Sequence, residues 1–299
     1  MTYILYNPLA DNRNGKQNAE KVVTFLQNDG IKYIDVTKTN TADFIRNVAD
    51  DERIILCGGD GTLFKFINEF GGKAPEHQVF YYPTGSGNDF MTDIMYGEVL
   101  GPVSINRFLD ALPKVTVNGK ESYFINGVGY GIDGYCCEVG DKMRESSSGK
   151  INYTAIAIKG LLFRFKPRNA VVTVDGKTHT YRHVWLAPTM NGRYYGGGMM
   201  VAPGQDRRKE GKEVSTVIFH CPGKLKTLMV FPSIFKGKHI EHKEMVEVLT
   251  GNEITVEFDR PTPLQIDGET VSGVTSYTVR TAAAANNNNI ELEKQAAAV

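Results

Sequence analysis

The sequence predicts an α/β unit built on a parallel sheet, followed by a β-sandwich unit. Three observations lead there. Strand-like and helix-like runs alternate through the first third of the chain. Beyond about residue 112 the helical spacing gives way to short β runs joined by Asn-Gly and Asp-Gly. The chain has 299 residues, 41% hydrophobic and 23% charged, which is long for one ordinary domain and ample for two. The expected divisions are 1–112, 113–281 and a low-complexity tail at 282–299. The tail reads as a linker with a short helix, its return to the first unit left open, or as an expression remnant.

In the first unit, Tyr3 to Tyr6 is a strand stopped by Asn7-Pro8, and Ala19, Val22, Val23 and Leu26 recur at helical spacing. Ile31 to Val36 is the next strand. Thr41 is the expected cap of a helix carrying Phe44 and Val48. Arg53 to Cys57 is a strand, Leu63, Phe66, Ile67 and Phe70 form a helical stripe, and Val79 to Tyr82 is a strand again. This βαβα order demands a sheet covered by helices on both faces. In the second unit, Val115–Val117 and Tyr123–Ile125 flank Asn118-Gly119, and Val171–Val174 and Thr178–Trp185 flank Asp175-Gly176. Both read as hairpins with primed turns. Val214–Phe219, Val246–Leu249, Ile254–Phe258 and Ser276–Val279 are further strands. Ile151 to Phe165, apolar nearly all round, reads as a helix, either buried in the core or covering a lipid pocket.

Charge excludes one class of function. The 34 basic and 34 acidic residues cancel, which disfavours a nucleic-acid binder working by bulk charge. The first 112 residues carry 10 basic and 15 acidic side chains, and the remainder carries 24 and 19. The positive excess is concentrated in Lys142–Arg168 and Lys224–Lys243, clusters suited to an anionic membrane surface. No apolar run reaches the ~18 residues of a membrane span, and the first residues lack the features of a signal peptide. Cys57, Cys136, Cys137 and Cys221 have no metal-like spacing; with Cys136 and Cys137 read as strand neighbours, they are expected as reduced thiols. The expected setting is cytoplasmic, with peripheral membrane association. His239 and His242 are expected on a solvated surface, and Met199-Met200 as a flexible apolar wall.

The chemistry lies in the loops. Gly58, Gly59, Asp60, Gly61 and Thr62 follow a strand and open a helix, an arrangement suited to phosphate, with an acid placed for a divalent cation. Gly85, Ser86, Gly87, Asn88 and Asp89 follow the next strand and offer glycines, a hydroxyl and an amide to a nucleotide; taken alone, Asn88 or Asp89 would merely cap a helix. Two such loops at one edge of a parallel sheet favour a shared ligand site. Asn7-Pro8 with Gly15-Lys16 forms a third loop there, and Ile266-Asp267-Gly268-Glu269 reads as a strand end and turn.

These motifs together resemble the diacylglycerol kinase catalytic superfamily, in its bacterial soluble branch, which is related to sphingosine kinases and NAD kinases. The likeness runs from about residue 3 to 280 and includes Asn126–Asp133, Gly149–Tyr153, Phe163–Pro167 and Gly196–Met199. It implies an ATP-dependent kinase acting on a lipid hydroxyl such as that of diacylglycerol, with ATP bound between two domains. By position, Asn7, Thr37, Gly58–Thr62, Gly85, Ser86, Asn88 and Asp89 would shape the ATP site, and Asp60 would organise Mg²⁺. Asp133 and Glu269 would face the acceptor hydroxyl, with Glu269 as general base. Two departures stand out. Leu9-Ala10-Asp11-Asn12 replaces the family's Ser-Gly after Asn-Pro. Arg208-Lys209-Glu210-Gly211 replaces an Asp-Asp-Gly associated with a second, structural Mg²⁺, leaving Glu210 as its candidate ligand. An NAD kinase-like enzyme and an inactive nucleotide- or lipid-binding protein are the alternatives. The implied partners are ATP, a lipid alcohol and an anionic membrane surface, with no nucleic acid and a homodimer left open.

Overall fold

The computed structural model describes residues 1–26, 30–85, 87–95, 100–146, 156, 159–160, 165–209 and 211–284. The chain separates into two compact units, Met1–Asp110 and Ala111–Val299.

The first unit holds a five-stranded sheet. Strands β1 (Thr2–Tyr6), β2 (Ile31–Asp35), β3 (Arg53–Gly58), β4 (Val79–Pro83) and β5 (Val103–Ser104) lie in the order β2-β1-β3-β4-β5. All neighbours are parallel except β4 and β5. Ile4, Leu5, Ile54, Ile55, Leu56 and Cys57 are all buried, as expected where helices cover both faces of a parallel sheet. On one face Ile4, Ile55 and Cys57 pack with Ala19 and Val22. The expected helix there is split. After the short α1 (Ala10–Arg13), α2 (Gly15–Glu20) tightens into a 3-10 turn over Lys21–Phe25, where the β-branched run Val22-Val23-Thr24 disfavours an α-helix. Asn40, not Thr41, caps α3 (Thr41–Arg46): its side-chain oxygen accepts the Asp43 N–H at 2.9 Å. The N–H of Thr41 donates instead to Glu69 Oε2 at 2.9 Å, and α3 ends before Val48. α4 (Asp60–Glu69) buries Leu63, Phe66 and Ile67, the sequence stripe. α5 (Asp89–Ile94) and α6 (Asn106–Leu109) complete the unit.

The second unit is a β-sandwich-like domain. It opens with the hairpin β6 (Lys114–Val117) and β7 (Lys120–Tyr123), whose turn residues Asn118 and Gly119 both have positive φ. β8 (Gly127–Tyr130) leads into α7 (Ile132–Ser146). There follow β9 (Arg168–Val174), β10 (Lys177–Leu186), β11 (Thr189–Met190), β12 (Tyr194–Tyr195), β13 (Met199–Met200) and β14 (Val214–His220). α8 (Lys224–Val230), β15 (Val246–Gly251), β16 (Glu253–Ile266) and β17 (Glu269–Arg280) close the unit. The main sheet runs β7-β6-β17-β16-β8-β11-β14-β10-β9, with β15 on β14. β16 changes partner along its length: Ile254–Phe258 pair with β9 and Leu264–Ile266 with β8. Its register with β17 breaks between Glu257 and Thr262, the stretch that holds Pro261, so a strand that should stop at proline continues through an irregularity. The core gathers Trp185, Phe219, Phe231, Ile234 and Tyr195.

Three expectations are corrected here. Cys136 and Cys137 lie on α7, not on a strand. A helix forms there because Gly131, at φ 117°, turns the chain out of β8, and because Gly134 lets α7 lie directly on the Pro263 backbone. His239 is buried rather than solvated; its Nε2 meets the Val201 carbonyl at 2.9 Å, and burial lowers its pKa to about 4. Met199 and Met200 pair with Tyr194 and Tyr195 as a small antiparallel ribbon. The expected helix Ile151–Phe165 lies outside the described residues save Ile156, Lys159, Gly160 and Phe165, and so does the tail beyond residue 284.

Candidate functional site

The sheet register of the first unit brings four loops to one edge. Tyr6 is level with both Asp35 and Cys57, and Gly58 with Pro83. Asn7, Thr37, Gly58–Thr62, Thr84, Gly85 and Gly87–Asp89 therefore all emerge at the carboxyl ends of neighbouring parallel strands, where open α/β sheets bind ligands.

Two of these loops are joined glycine to glycine. A Cβ on Gly59 would lie 3.0 Å from Gly85 Cα, and one on Gly85 would press still closer on Gly59. Only glycine allows that approach. Gly58 is held to glycine by the Thr62 side chain against it, and Gly15 by the carbonyl of Asn7. Thr84 N–H and Tyr81 O–H both donate to the Gly58 carbonyl at 2.8 Å.

Asp60 strengthens the junction. Its two oxygens accept the backbone N–H groups of Asp89 at 3.0 Å and Phe90 at 3.1 Å. The N-terminus of α5 is thus capped by a carboxylate 29 residues away, not by Asn88 or Asp89. Asn88, at φ 53°, instead closes its own loop: its amide nitrogen donates to the Gly85 carbonyl at 2.7 Å, and its amide oxygen accepts the Gly85 N–H at 3.2 Å. Asp89 is buried. The Thr84 hydroxyl is buried without a partner, the condition in which a ligand or water is usually its complement.

Asn7 Oδ1 accepts the Leu9 N–H, and the Thr37 hydroxyl donates to Asp35 Oδ1 at 2.7 Å. That bond, more than any other cause, lowers the Asp35 pKa. A depression at this edge is lined by Asn7, Thr62 and three residues the sequence reading missed, Thr41, Lys65 and Glu69. A signal existed for the last two: they follow Thr62 at helical spacing on α4. Gly61 sits in the first turn of α4; Ser86 and Glu210 lie outside the described residues.

In the second unit, Asp267 sits at φ 47° in the turn between β16 and β17. Its buried carboxylate accepts three backbone N–H groups, from Ile125 at 2.6 Å, Asn126 at 2.9 Å and Gly127 at 3.0 Å. The acceptors of the same segment are held from the other side. Buried Arg207 donates to the Ile125 carbonyl and to Asn126 Oδ1, and Asn191 donates to the Ile125 carbonyl. Sequence spacing gave no hint of this clamp. Glu269, two residues on, is exposed, and its carboxylate has no partner among the described residues.

Asp133 opens α7 and is buried. Tyr195 donates to its Oδ2 at 2.8 Å, while Oδ1 has no hydrogen-bond partner. Burial raises its pKa from 3.8 to about 6, against the Tyr195 bond, which lowers it. Gly129 makes room: a Cβ there would collide with both the Asp133 carboxylate and Gln265 Nε2, and Gln265 in turn accepts the Gly268 N–H at 2.6 Å. Gly129 thus has Asp133 on the same side as Gln265, the residue that holds the Asp267–Glu269 turn.

Among the described residues, no group of three or more His, Cys, Asp or Glu is arranged to hold a metal ion. Mg²⁺ in phosphotransferases usually rests on one or two carboxylates and the substrate's phosphates, and Asp60 is a carboxylate placed at the glycine-lined strand ends, as that use requires. No helix among the described residues is long and apolar enough to cross a membrane.

Comparison with known proteins assigns both units. Residues 1–113 match the diacylglycerol kinase catalytic domain, and residues 126–285 match the YegS C-terminal NAD kinase beta sandwich-like domain. A Mycobacterium tuberculosis protein named diacylglycerol kinase is 24% identical over 275 residues, covering 86% of this chain and 84% of its own. The Bacillus subtilis (strain 168) protein YtlR, which bears a provisional lipid kinase name, is 25% identical over 244 residues, covering 76% of each. A crystal structure of a diacylglycerol kinase from Bacillus anthracis str. Sterne shares the fold with a TM-score of 0.60 at 17% identity, over 94% of this chain and 93% of that one. The β-sandwich match alone spans more than half of the sequence, and with the catalytic-domain match before it the chain belongs to the YegS-type branch of the diacylglycerol kinase superfamily.

Proposed function

We propose that this protein is an ATP-dependent lipid kinase that transfers the γ-phosphoryl group to a lipid hydroxyl such as that of diacylglycerol. The observation that carries this reading is the junction of Gly58–Thr62 with Gly85–Asp89, through the Gly59–Gly85 contact and the Asp60 bonds to α5. It forms a glycine-lined edge at the ends of parallel strands, the setting in which nucleotide phosphates are held by backbone N–H groups. Phosphoryl transfer asks the protein for position and charge stabilisation more than for covalent chemistry. The first unit supplies the nucleotide groups, Asn7, Thr37, Gly58, Gly59, Gly61, Thr62, Gly85, Ser86, Asn88 and Asp89. Asp60 would hold Mg²⁺, which neutralises developing phosphate charge. The second unit supplies the acceptor side. Glu269 is exposed and unpaired on a turn fixed by Asp267, and takes the hydroxyl proton as general base. Asp133, with one free carboxylate oxygen, orients that hydroxyl. Contact with an anionic membrane delivers the lipid.

The test is incubation with γ-labelled ATP and Mg²⁺ against diacylglycerol in detergent, a sphingoid base and NAD in parallel. Label is expected in the lipid phase. Glu269→Gln should reduce the rate by roughly 10²–10⁴ with an unchanged melting temperature, because the side chain is exposed. Label appearing in NAD and in no lipid overturns the reading.

A further inference from the structure

α8 leaves its outer face uncovered. Thr227 and Val230 point inward and are buried, and the Thr227 hydroxyl ties the helix to the Gly223 carbonyl at 3.0 Å. Leu225 and Met229, one turn apart, are 73% and 68% exposed. They are two of the most exposed large apolar side chains in the described chain, and nothing in the packing of the helix requires them. The helix rests on a 3-10 turn, Phe231–Lys236, whose Phe231 and Ile234 are buried, and this packs on a second turn, Lys238–Glu241. From 224 to 244 the segment carries five lysines against Glu241 and Glu244. Glu244 is paired with Lys226 at 2.9 Å, which brings residue 243 alongside the helix. Lys224, Lys236, Lys238 and Lys243 have no acidic partner among the described residues.

We propose that α8 is a membrane-docking wedge: Leu225 and Met229 enter the headgroup–acyl boundary of an anionic lipid surface while the surrounding lysines meet its charge. The occupant is a lipid surface because the exposed apolar pair is small and its segment carries four lysines without acidic partners among the described residues, a charge complementary to anionic headgroups. Peripheral helices bind membranes through this pairing of an apolar face with basic residues. The docking surface follows from its own chemistry; its use in presenting substrate rests on the lipid kinase reading. Each lysine near an anionic surface strengthens binding about fivefold, equivalent to ~1 kcal/mol, and the two apolar side chains together contribute about tenfold or more.

The full chain is sedimented with zwitterionic vesicles, with and without phosphatidylglycerol, and compared with two variants, Leu225→Gln/Met229→Gln and Lys224→Gln/Lys236→Gln/Lys238→Gln. The first should lose vesicle binding about tenfold, and the second should lose the preference for phosphatidylglycerol. Both should keep the wild-type melting temperature and phosphorylate a short-chain soluble diacylglycerol at the wild-type rate. A Met229→Trp reporter should shift to the blue on anionic vesicles; the chain's own Trp185 is fully buried and supplies a constant background. Undiminished vesicle binding by the Leu225→Gln/Met229→Gln protein, or an unmoved reporter, overturns the proposal. So does a wild-type dimer that this variant abolishes without vesicles, which would make a second copy the occupant. Failure to phosphorylate the soluble lipid, with vesicle binding intact, sinks the kinase reading and leaves the wedge standing.

Discussion

Asp267 should matter most as a fold element, and its contribution is separable from that of its neighbour Glu269. Its carboxylate serves three buried backbone donors at 2.6, 2.9 and 3.0 Å. Asp267→Asn keeps the shape and suits φ 47°, since asparagine tolerates the left-handed region. The amide oxygen can still serve Asn126 and Gly127, but the amide nitrogen then faces the Ile125 N–H, donor against donor. Losing one charge-assisted bond and leaving a buried donor unmet costs roughly 2–3 kcal/mol. With a urea dependence of about 2 kcal/mol per molar, the unfolding midpoint should fall by ~1 M. Asp267→Gly accepts the backbone angle but leaves all three donors unmet, so its loss should be about twice as large. Trp185, the chain's single tryptophan, sits in the core of the second unit and reports its unfolding alone. An Asp267→Asn protein with an unshifted midpoint would mean that the three bonds carry no net stability, and the account of the Asp-Gly-Glu turn would be wrong.

Gly85→Ala places a methyl group against the Gly59 backbone and should abolish ATP binding, measured by calorimetry; retained affinity would show that the two loops separate without consequence. Asp60→Asn leaves one N–H of α5 without an acceptor and should destabilise the first unit by ~1–2 kcal/mol, read by hydrogen exchange at Phe90, as well as weakening the Mg²⁺ dependence of turnover. Asp133 imposes a pH dependence whose sign is fixed. Its folded pKa, about 6, lies above its ordinary 3.8, so between those values the folded chain keeps a proton that the unfolded chain releases. Its contribution to stability therefore falls as pH rises and is fully lost above 6, by ~2–3 kcal/mol. Asp133→Asn should flatten the Trp185-monitored urea midpoint between acidic and neutral pH, and matching wild-type and variant profiles would refute it.

The sequence makes the sheet of the first unit legible because its strands are continuous apolar runs, Ile4-Leu5 and Ile54-Ile55-Leu56, and because Gly58-Gly59 and Gly85 sit directly after them. Hairpin turns are equally plain, since Asn118-Gly119 and Asp175-Gly176 are the residues that adopt the required positive φ. What escapes sequence reading is fixed by tertiary contact. α7 carries Gly134 and the pair Cys136-Cys137, poor helix formers, and exists because it packs on β16. His239 reads as a surface residue beside Lys238, yet the fold buries it against the Val201 carbonyl. Asp60 reads as a cation ligand from its loop alone, and only the fold reveals that it also caps a helix 29 residues away. Arg207 stands in a charged run that looks solvated, and its burial depends on carbonyls some 80 residues earlier.

The pairing of β6 with β17 has a consequence for synthesis. Among the described residues, the first β-hairpin of the second unit joins the sheet only through β17, the last of the strands, by way of Lys114–Val117 against Tyr277–Arg280. A nascent chain released as far as β15 holds β6 and β7 with nothing to dock on, and lacks β16, the strand that links β8 to β9. Closure over so long a stretch is slow, because chain entropy is lost before the contacts that offset it can form. Throughout that interval the apolar residues destined for the sandwich, Val115 and Val128 among them, remain uncovered. The second unit is therefore the part of this chain most dependent on chaperones during translation. The parallel sheet of the first unit, complete by Ser104, can form while the rest is still being made.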